Sequence, residues 1–324
     1  MKRIFLTLML LVMVLFARAQ NDAQYSQYMF NGIYINPAYA GYKEEFNIHS
    51  FYRTQWSQIT GAPESMSLAV DASANNKNVG LAFQVSNDRV GAQSSLAAYG
   101  NYAYRLRVGS SENSRLAFGL GIGVAQLGID GSKLNPEDQG DEYIPTNMQS
   151  VILPDARAGV YYSNNRFYAG FSVDNLIARL LDPNKGRNML VPIPKPHLFL
   201  TAGMLLPLSE GMQLKPSFLL KDDMGGPTSL DINTLVLLHD RIWLGASYRT
   251  AVRLYDKSYL QSDLYKSNSM VGMIELFAGN QFRIGYAFDF SLAKLQSISG
   301  SSHELSIGFY FKRKNVRMLT PRYF

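Results

Sequence analysis

Residues Arg166–Asp174 read Arg-Phe-Tyr-Ala-Gly-Phe-Ser-Val-Asp. Phe167, Ala169, Phe171 and Val173 alternate with Arg166, Tyr168, Gly170, Ser172 and Asp174. An extended chain places successive side chains on opposite faces, so this stretch has one apolar face and one polar or small face. The pattern returns in Arg241–Arg249, where Ile242, Leu244, Ala246 and Tyr248 share a face, and in Gln281–Asp289, where Phe282, Ile284, Tyr286 and Phe288 do. In Gln213–Lys221 the polar face carries Gln213, Lys215, Ser217 and Lys221, with Leu214, Phe218 and Leu220 opposite. Each stretch is about nine residues, the length a tilted strand needs to cross a bilayer.

Periodicity of this kind predicts strands at 46–56, 66–72, 78–87, 94–106, 115–126, 155–162, 166–174, 197–205, 212–221, 228–237, 241–250, 269–278, 281–289 and 303–311. About fourteen antiparallel strands result, an even number. A soluble β-sandwich alternates too, and the connections separate the two architectures. Ser163–Asn165, Leu238–Asp240 and Gly279–Asn280 are tight turns of the Asn, Asp and Gly type, whereas 127–154, 175–196, 251–268 and 290–302 are long and carry Pro, Gly, Asp and Lys. Turns at one end and loops at the other are the asymmetry of an outer-membrane barrel, with turns toward the periplasm. The fold expected is all-β, a transmembrane antiparallel β-barrel over 46–311 with both mature termini in the periplasm.

Composition agrees with that expectation. The 324 residues are 47% hydrophobic and include 20 Tyr, 18 Phe and 26 Gly, yet beyond the N-terminus no apolar run is long enough for a membrane helix. Met1-Lys2-Arg3, the apolar stretch Ile4–Phe16 and Ala17-Arg18-Ala19 have the form of a signal peptide over 1–19. Cysteine is absent, which excludes a lipoprotein anchor, disulfides and thiolate metal sites. The formal charge of +6 comes from scattered Lys and Arg, which read as solvated surface and lipid-headgroup contacts rather than a nucleic-acid face.

Residues 20–45 differ in kind. Gln24–Asn31 and Tyr34–Gly41 are rich in aromatics and amides, with Asn36-Pro37 and Ala40-Gly41 as turn points and no alternation. This stretch is expected to act as a plug inside the barrel or across its periplasmic mouth. The chain after Phe311, residues 312–324, is a basic, aromatic tail expected on the periplasmic side.

Reactive groups do not assemble in the sequence. His49, His197, His239 and His303 lack metal-ligand spacing. Asn47, His49 and Ser50 invite comparison with a lipid hydrolase, but alternation puts Asn47 and His49 on one face and Ser50 on the other. Gly119, Gly121 and Gly123 recur at every second position of a strand with no helix after them, so close backbone approach or a kink explains them better than a nucleotide loop. The pairs Asp222-Asp223 and Glu44-Glu45 are expected in solvent at strand ends. Neither an enzyme nor a cofactor or metal site is expected.

The segment Gln24–Gly41 is also where the sequence resembles a known family, the PorP/SprF membrane proteins of type IX secretion. The resemblance continues in order through Tyr52-Arg53-x-Gln55-Trp56, Gly61-Ala62-Pro63, Asn78-Val79-Gly80-Leu81, Asn87-Asp88 and Tyr102–Leu106. It then runs through Arg166–Gly170, Leu214–Ser217, Trp243–Arg249, Arg283–Tyr286 and Gly300–Glu304. What the resemblance implies is a non-enzymatic outer-membrane component supporting secretion or surface attachment of cargo, such as gliding adhesins, through protein–protein contacts. Its implied partners are periplasmic and outer-membrane secretion components, a cargo protein or its C-terminal domain, and the bilayer. Tyr28, Phe30, Asn36, Pro37, Tyr39 and Trp56 are the candidate partner contacts, since aromatics supply area and amides supply registry. The alternative is an outer-membrane channel for small or hydrophobic solutes.

Overall fold

The computed structural model describes residues 25–109, 111, 113–134, 145–177, 180–181, 194–257, 268–279, 281–292 and 300–311. Residues 1–19, expected as a signal peptide, and the tail after Phe311 lie outside these residues.

Fifteen strand segments follow in order: β1 Phe46–Thr54, β2 Glu64–Ala74, β3 Val79–Val90, β4 Gln93–Arg107, β5 Arg115–Asp130, β6 Met148–Ser163, β7 Phe167–Asp174, β8 His197–Met204, β9 Leu206–Ser209, β10 Met212–Asp222, β11 Thr228–Leu238, β12 Ile242–Val252, β13 Asn268–Ala278, β14 Phe282–Ser291 and β15 Ser302–Phe311. β8 and β9 are one strand interrupted at Leu205, and both pair with β10 in one register, which shifts only at the end of β9, at Met212/Gln213. The barrel therefore has fourteen strands. Every predicted strand is present, with β5 and β6 longer than the alternation suggested.

Each strand pairs antiparallel with its sequence neighbour, β15 pairs with β1, and β10 pairs with β11. The sheet closes on itself without an edge strand, as a strand-built membrane crossing requires. Among the described residues no helix is long and apolar enough to cross a membrane.

Alternation sets the two faces. Outward positions carry exposed Phe83, Leu120, Ile122, Ile232, Leu244, Ile284 and Ile307, while inward positions carry buried Arg53, Asn101, Arg157, Lys215, Asp231 and Glu304. A soluble protein reverses this order. An apolar exterior around a polar, charged interior is the arrangement a bilayer selects. It also corrects one expectation from the sequence: Arg53, Arg157, Arg283 and Lys215 are not surface charges but lie among the most deeply buried side chains.

Phe46 is opposite Phe311, so the start of β1 and the end of β15 share one rim. That rim carries the connections 75–78, 108–114, 164–166, 210–211, 239–241 and 279–281. Local chemistry makes them tight. Asn164 Oδ1 accepts from the Arg166 and Phe167 amides, both at 2.8 Å, and His239 and Asp240 take the positive φ values, 48° and 55°, of a hairpin turn. The opposite rim carries the longer connections 55–63, 131–147, 175–196, 253–267 and 292–301. It also carries two short ones, 91–92 and 223–227, so the expected alternation of short and long is not strict.

Candidate functional site

The residues from Tyr25 to Tyr42 form three short 3-10 turns, Tyr28–Phe30, Gly32–Tyr34 and Pro37–Tyr39. The sequence dictates two of them. Asn31 and Asn36 each accept a backbone N–H two residues on, at 3.4 Å and 2.8 Å, and Pro37 occupies the first helical position, where its missing N–H costs nothing. Most of the segment is buried, and its partners come from strands all around the barrel wall: Glu304 on β15, Arg53 on β1, Arg105 on β4, Val160 on β6, Lys215 on β10 and Asn233 on β11. Only a chain lying inside the wall can reach all of these.

A buried ionic cluster holds its start. Glu304 accepts the Ser26 amide at 2.6 Å and the Gln27 amide at 2.8 Å, and it faces Arg53 Nη1 at 3.4 Å. Arg53 donates to Ser26 Oγ at 2.7 Å and to Asp289 at 3.0 Å. Asp289 also accepts from Arg249 at 3.2 Å, and Arg249 grips Asp231 bidentately at 2.9 and 3.0 Å. Carboxylate–guanidinium forks of this kind are stronger than neutral hydrogen bonds, and each member's burial makes losing its partner expensive.

Further on, Lys215 Nζ donates to the Met29 carbonyl at 3.1 Å, with the Trp243 ring 5.7 Å away and Phe30 tilted against that ring. Arg105 donates to the Gly41 carbonyl at 2.6 Å. Small inward residues make room for the chain. A methyl group on Gly119 would overlap the backbone of Ala38, one on Gly80 the Ala40 carbonyl, and one on Gly159 the Asn36 side chain. This identifies what approaches Gly119 so closely. Beside it, Gly121 is filled by the Arg157 and Asn101 side chains.

The six candidate partner residues divide sharply. Tyr28 Oη accepts from Asn233 Nδ2 at 2.7 Å, and Phe30 packs near Trp243. Asn36 Nδ2 donates to the carbonyls of Val160 at 3.0 Å and Phe171 at 3.3 Å. Pro37 and Tyr39 are buried, Tyr39 against Tyr42 and Tyr161. These five converge inside the wall. Trp56 does not join them: it stands 44% exposed on the loop after β1, with a φ of 49° that a bulky residue rarely adopts, near exposed Ile59.

On the long-loop side of the segment lies a cavity of about 140 Å³, bounded by Tyr25, Tyr28 and Tyr34 below and by Tyr99, Arg157, Phe199 and Lys221 around it. The remaining sequence candidates are dispersed. His49 is buried and edge-on to Phe51, Asn47 donates to Asp71 at 2.8 Å, and Ser50 faces outward and donates to the Ser67 carbonyl at 2.8 Å. The Asp222-Asp223 pair is not in solvent. Asp222 binds Lys257 at 2.9 and 3.1 Å, and Asp223 accepts from the Gly225 and Gly226 amides. Among the described residues no cluster of His, Cys, Asp or Glu could hold a metal ion.

Sequence reasoning missed the ionic cluster. Its signal was present: Arg53, Asp231, Arg249, Asp289 and Glu304 all occupy inward positions of alternating strands, where a charge is buried unless something answers it.

The fold and this interior define a membrane β-barrel with an apolar outer belt and a charged inner face engaged by its own N-terminal segment. Comparison with known sequences assigns it more narrowly. Residues 17–309 match the family model of the type IX secretion system membrane protein PorP/SprF, and the chain belongs to that family. No individual curated protein sequence matches significantly. Among solved structures, the Acinetobacter baumannii outer membrane protein Omp33 aligns with a TM-score of 0.47 at 8% identity, covering 84% of this chain and 100% of its own. The Pseudomonas putida toluene transporter TodX aligns with a TM-score of 0.47 at 12% identity, covering 86% and 93% respectively. A Pseudomonas aeruginosa FadL homologue reaches 0.45 at 10% identity, covering 88% and 94%. Similarity at this level says nothing about shared function.

Proposed function

We propose that the protein is a non-enzymatic outer-membrane component of the type IX secretion system that supports secretion or surface attachment of cargo, gliding adhesins among them, through protein–protein contacts. The observation that carries this is the family match across 17–309. The interior supports it physically: the segment Tyr25–Tyr42 serves as a plug, so the barrel works through its rims rather than by passage.

In this reading residues 1–19 direct export and are removed, and the rim shared by Phe46 and Phe311 faces the periplasm with both mature termini. The tail 312–324 then reaches periplasmic secretion components. The longer connections face outward, where Trp56 and Ile59 offer an apolar contact for a partner such as a cargo C-terminal domain. The five interior candidates act indirectly, by fixing the plug.

The test is affinity purification of the C-terminally tagged protein from native membranes in mild detergent, together with a deletion strain. Secretion components should co-purify, and the deletion should strip surface cargo without a solute-uptake defect. Repeated purification of the protein alone, with surface cargo intact in the deletion strain, would overturn the proposal.

A further inference from the structure

The cavity above the plug segment has chemistry that rim contacts leave unused. Its carboxylates are largely occupied. Asp231 is held in the Arg249 fork, and Asp174 stands 3.2 Å from Arg157 Nε. Asp155, buried on β6 beside the cavity, accepts from Tyr99 Oη at 2.7 Å and from the Ile177 amide at 3.1 Å.

Its cations are matched only in part. Lys221 is 6% exposed, and its ammonium meets only the Phe199 ring, 5.8 Å away, among the described residues. Arg157 is 1% exposed, lies against Tyr99, and has no hydrogen-bond partner for Nη2. A buried guanidinium N–H without an acceptor is rare, because its desolvation is uncompensated unless an anion completes the site, and the Lys221 ammonium lines the same cavity. The size narrows the ligand further. A cavity near 150 Å³ takes one aromatic ring, so about 140 Å³ here admits one end of a molecule and not a folded domain.

We propose that this cavity is a binding site for a carboxylate carried on a small planar or aromatic group, entering from the long-loop side. Lys221 Nζ and Arg157 Nη2 take the carboxylate, and Tyr25, Tyr99 and Phe199 flank the attached group. The carboxylate comes from the C-terminal residue of an extended peptide or from a free aromatic acid. The site goes beyond the secretion reading and does not depend on it, since a barrel outside any machine would carry the same groups.

The experiment is calorimetric titration of the full-length protein in detergent with four probes: benzoate, benzamide, an N-acetylated tripeptide ending in phenylalanine, and the same tripeptide as its C-terminal amide. The carboxylates should bind, and their amides should bind at least about tenfold more weakly, the loss expected for one charge-assisted hydrogen bond. Lys221→Met should weaken carboxylate binding by a similar factor and Lys221→Arg should retain it, with heat-modifiable gel mobility showing that both variants keep the barrel. Tighter binding of the peptide identifies a polypeptide end as the source, and equal binding identifies a free acid. Equal affinity for acids and amides, no effect of Lys221→Met in a folded barrel, or no binding of either carboxylate at millimolar concentration would each overturn the proposal.

Discussion

Replacing Glu304 by alanine should release the N-terminal segment while leaving the wall closed. Glu304 is fully buried and accepts the Ser26 and Gln27 amides at 2.6 and 2.8 Å. Hydrogen bonds to a charged group contribute about 1.5–3 kcal/mol each, and the opened segment recovers part of this by meeting water. The net loss for segment docking is then about 3 kcal/mol, roughly two decades in the opening equilibrium. Arg53 keeps its 3.0 Å contact with Asp289, so the β1–β14 side of the cluster survives. Hydrogen exchange read by mass spectrometry on the purified barrel measures the effect directly. Peptides spanning 25–42 should exchange about a hundredfold faster in Glu304→Ala, while those from β14 and β15 are unchanged. Glu304→Gln keeps an acceptor without the charge and should fall between. Unchanged protection of 25–42 in Glu304→Ala, with the barrel intact, would refute the claim that the ionic cluster holds the segment.

Two further outcomes follow from other contacts. Gly119→Val puts a branched side chain where the Ala38 backbone lies, so it should expose 25–42 to protease without changing the heat-modifiable mobility of the barrel. Lys257 is pinned by Asp222 and the Gly226 carbonyl at 2.7 Å; burial disfavours its charge, but the Asp222 hydrogen bond and charge outweigh that and raise its pKa. A group whose folded pKa is raised stabilises fully below its unfolded value and loses that contribution only as pH rises through the folded one. Raising pH from about 7 to about 9 should therefore leave the protection of 223–227 unchanged once exchange is corrected for its base-catalysed intrinsic rate, whereas Lys257→Met should lower that protection at both.

Much of the fold was legible because strand alternation is a local property. Phe167 and Tyr168 declare opposite faces without reference to any other strand, and Asn164 declares its turn. What alternation cannot state is which medium each face meets. Leu235 and Leu237 lie on the inward face although they are apolar, because they pack into the same core as the N-terminal segment. The charged interior was illegible for a different reason. Arg53 meets partners 236 and 251 residues away, at Asp289 and Glu304, and only closure of β15 onto β1 brings them together. Scattered lysines and arginines look like surface charge until the register is known. The segment 25–42 was recognisable as something other than a strand, but two of its three turns depend on asparagine caps, and its seating depends on glycines such as Gly80 and Gly119 in distant strands.

The central claim is that this barrel works by its surfaces because its own N-terminal segment occupies the interior. Single-channel recording in planar bilayers tests it most directly, comparing the full chain with a variant lacking residues 25–42. The account predicts a silent full-length barrel and stable open steps once the segment is removed; steady conductance from the intact protein, unchanged by the deletion, would contradict it.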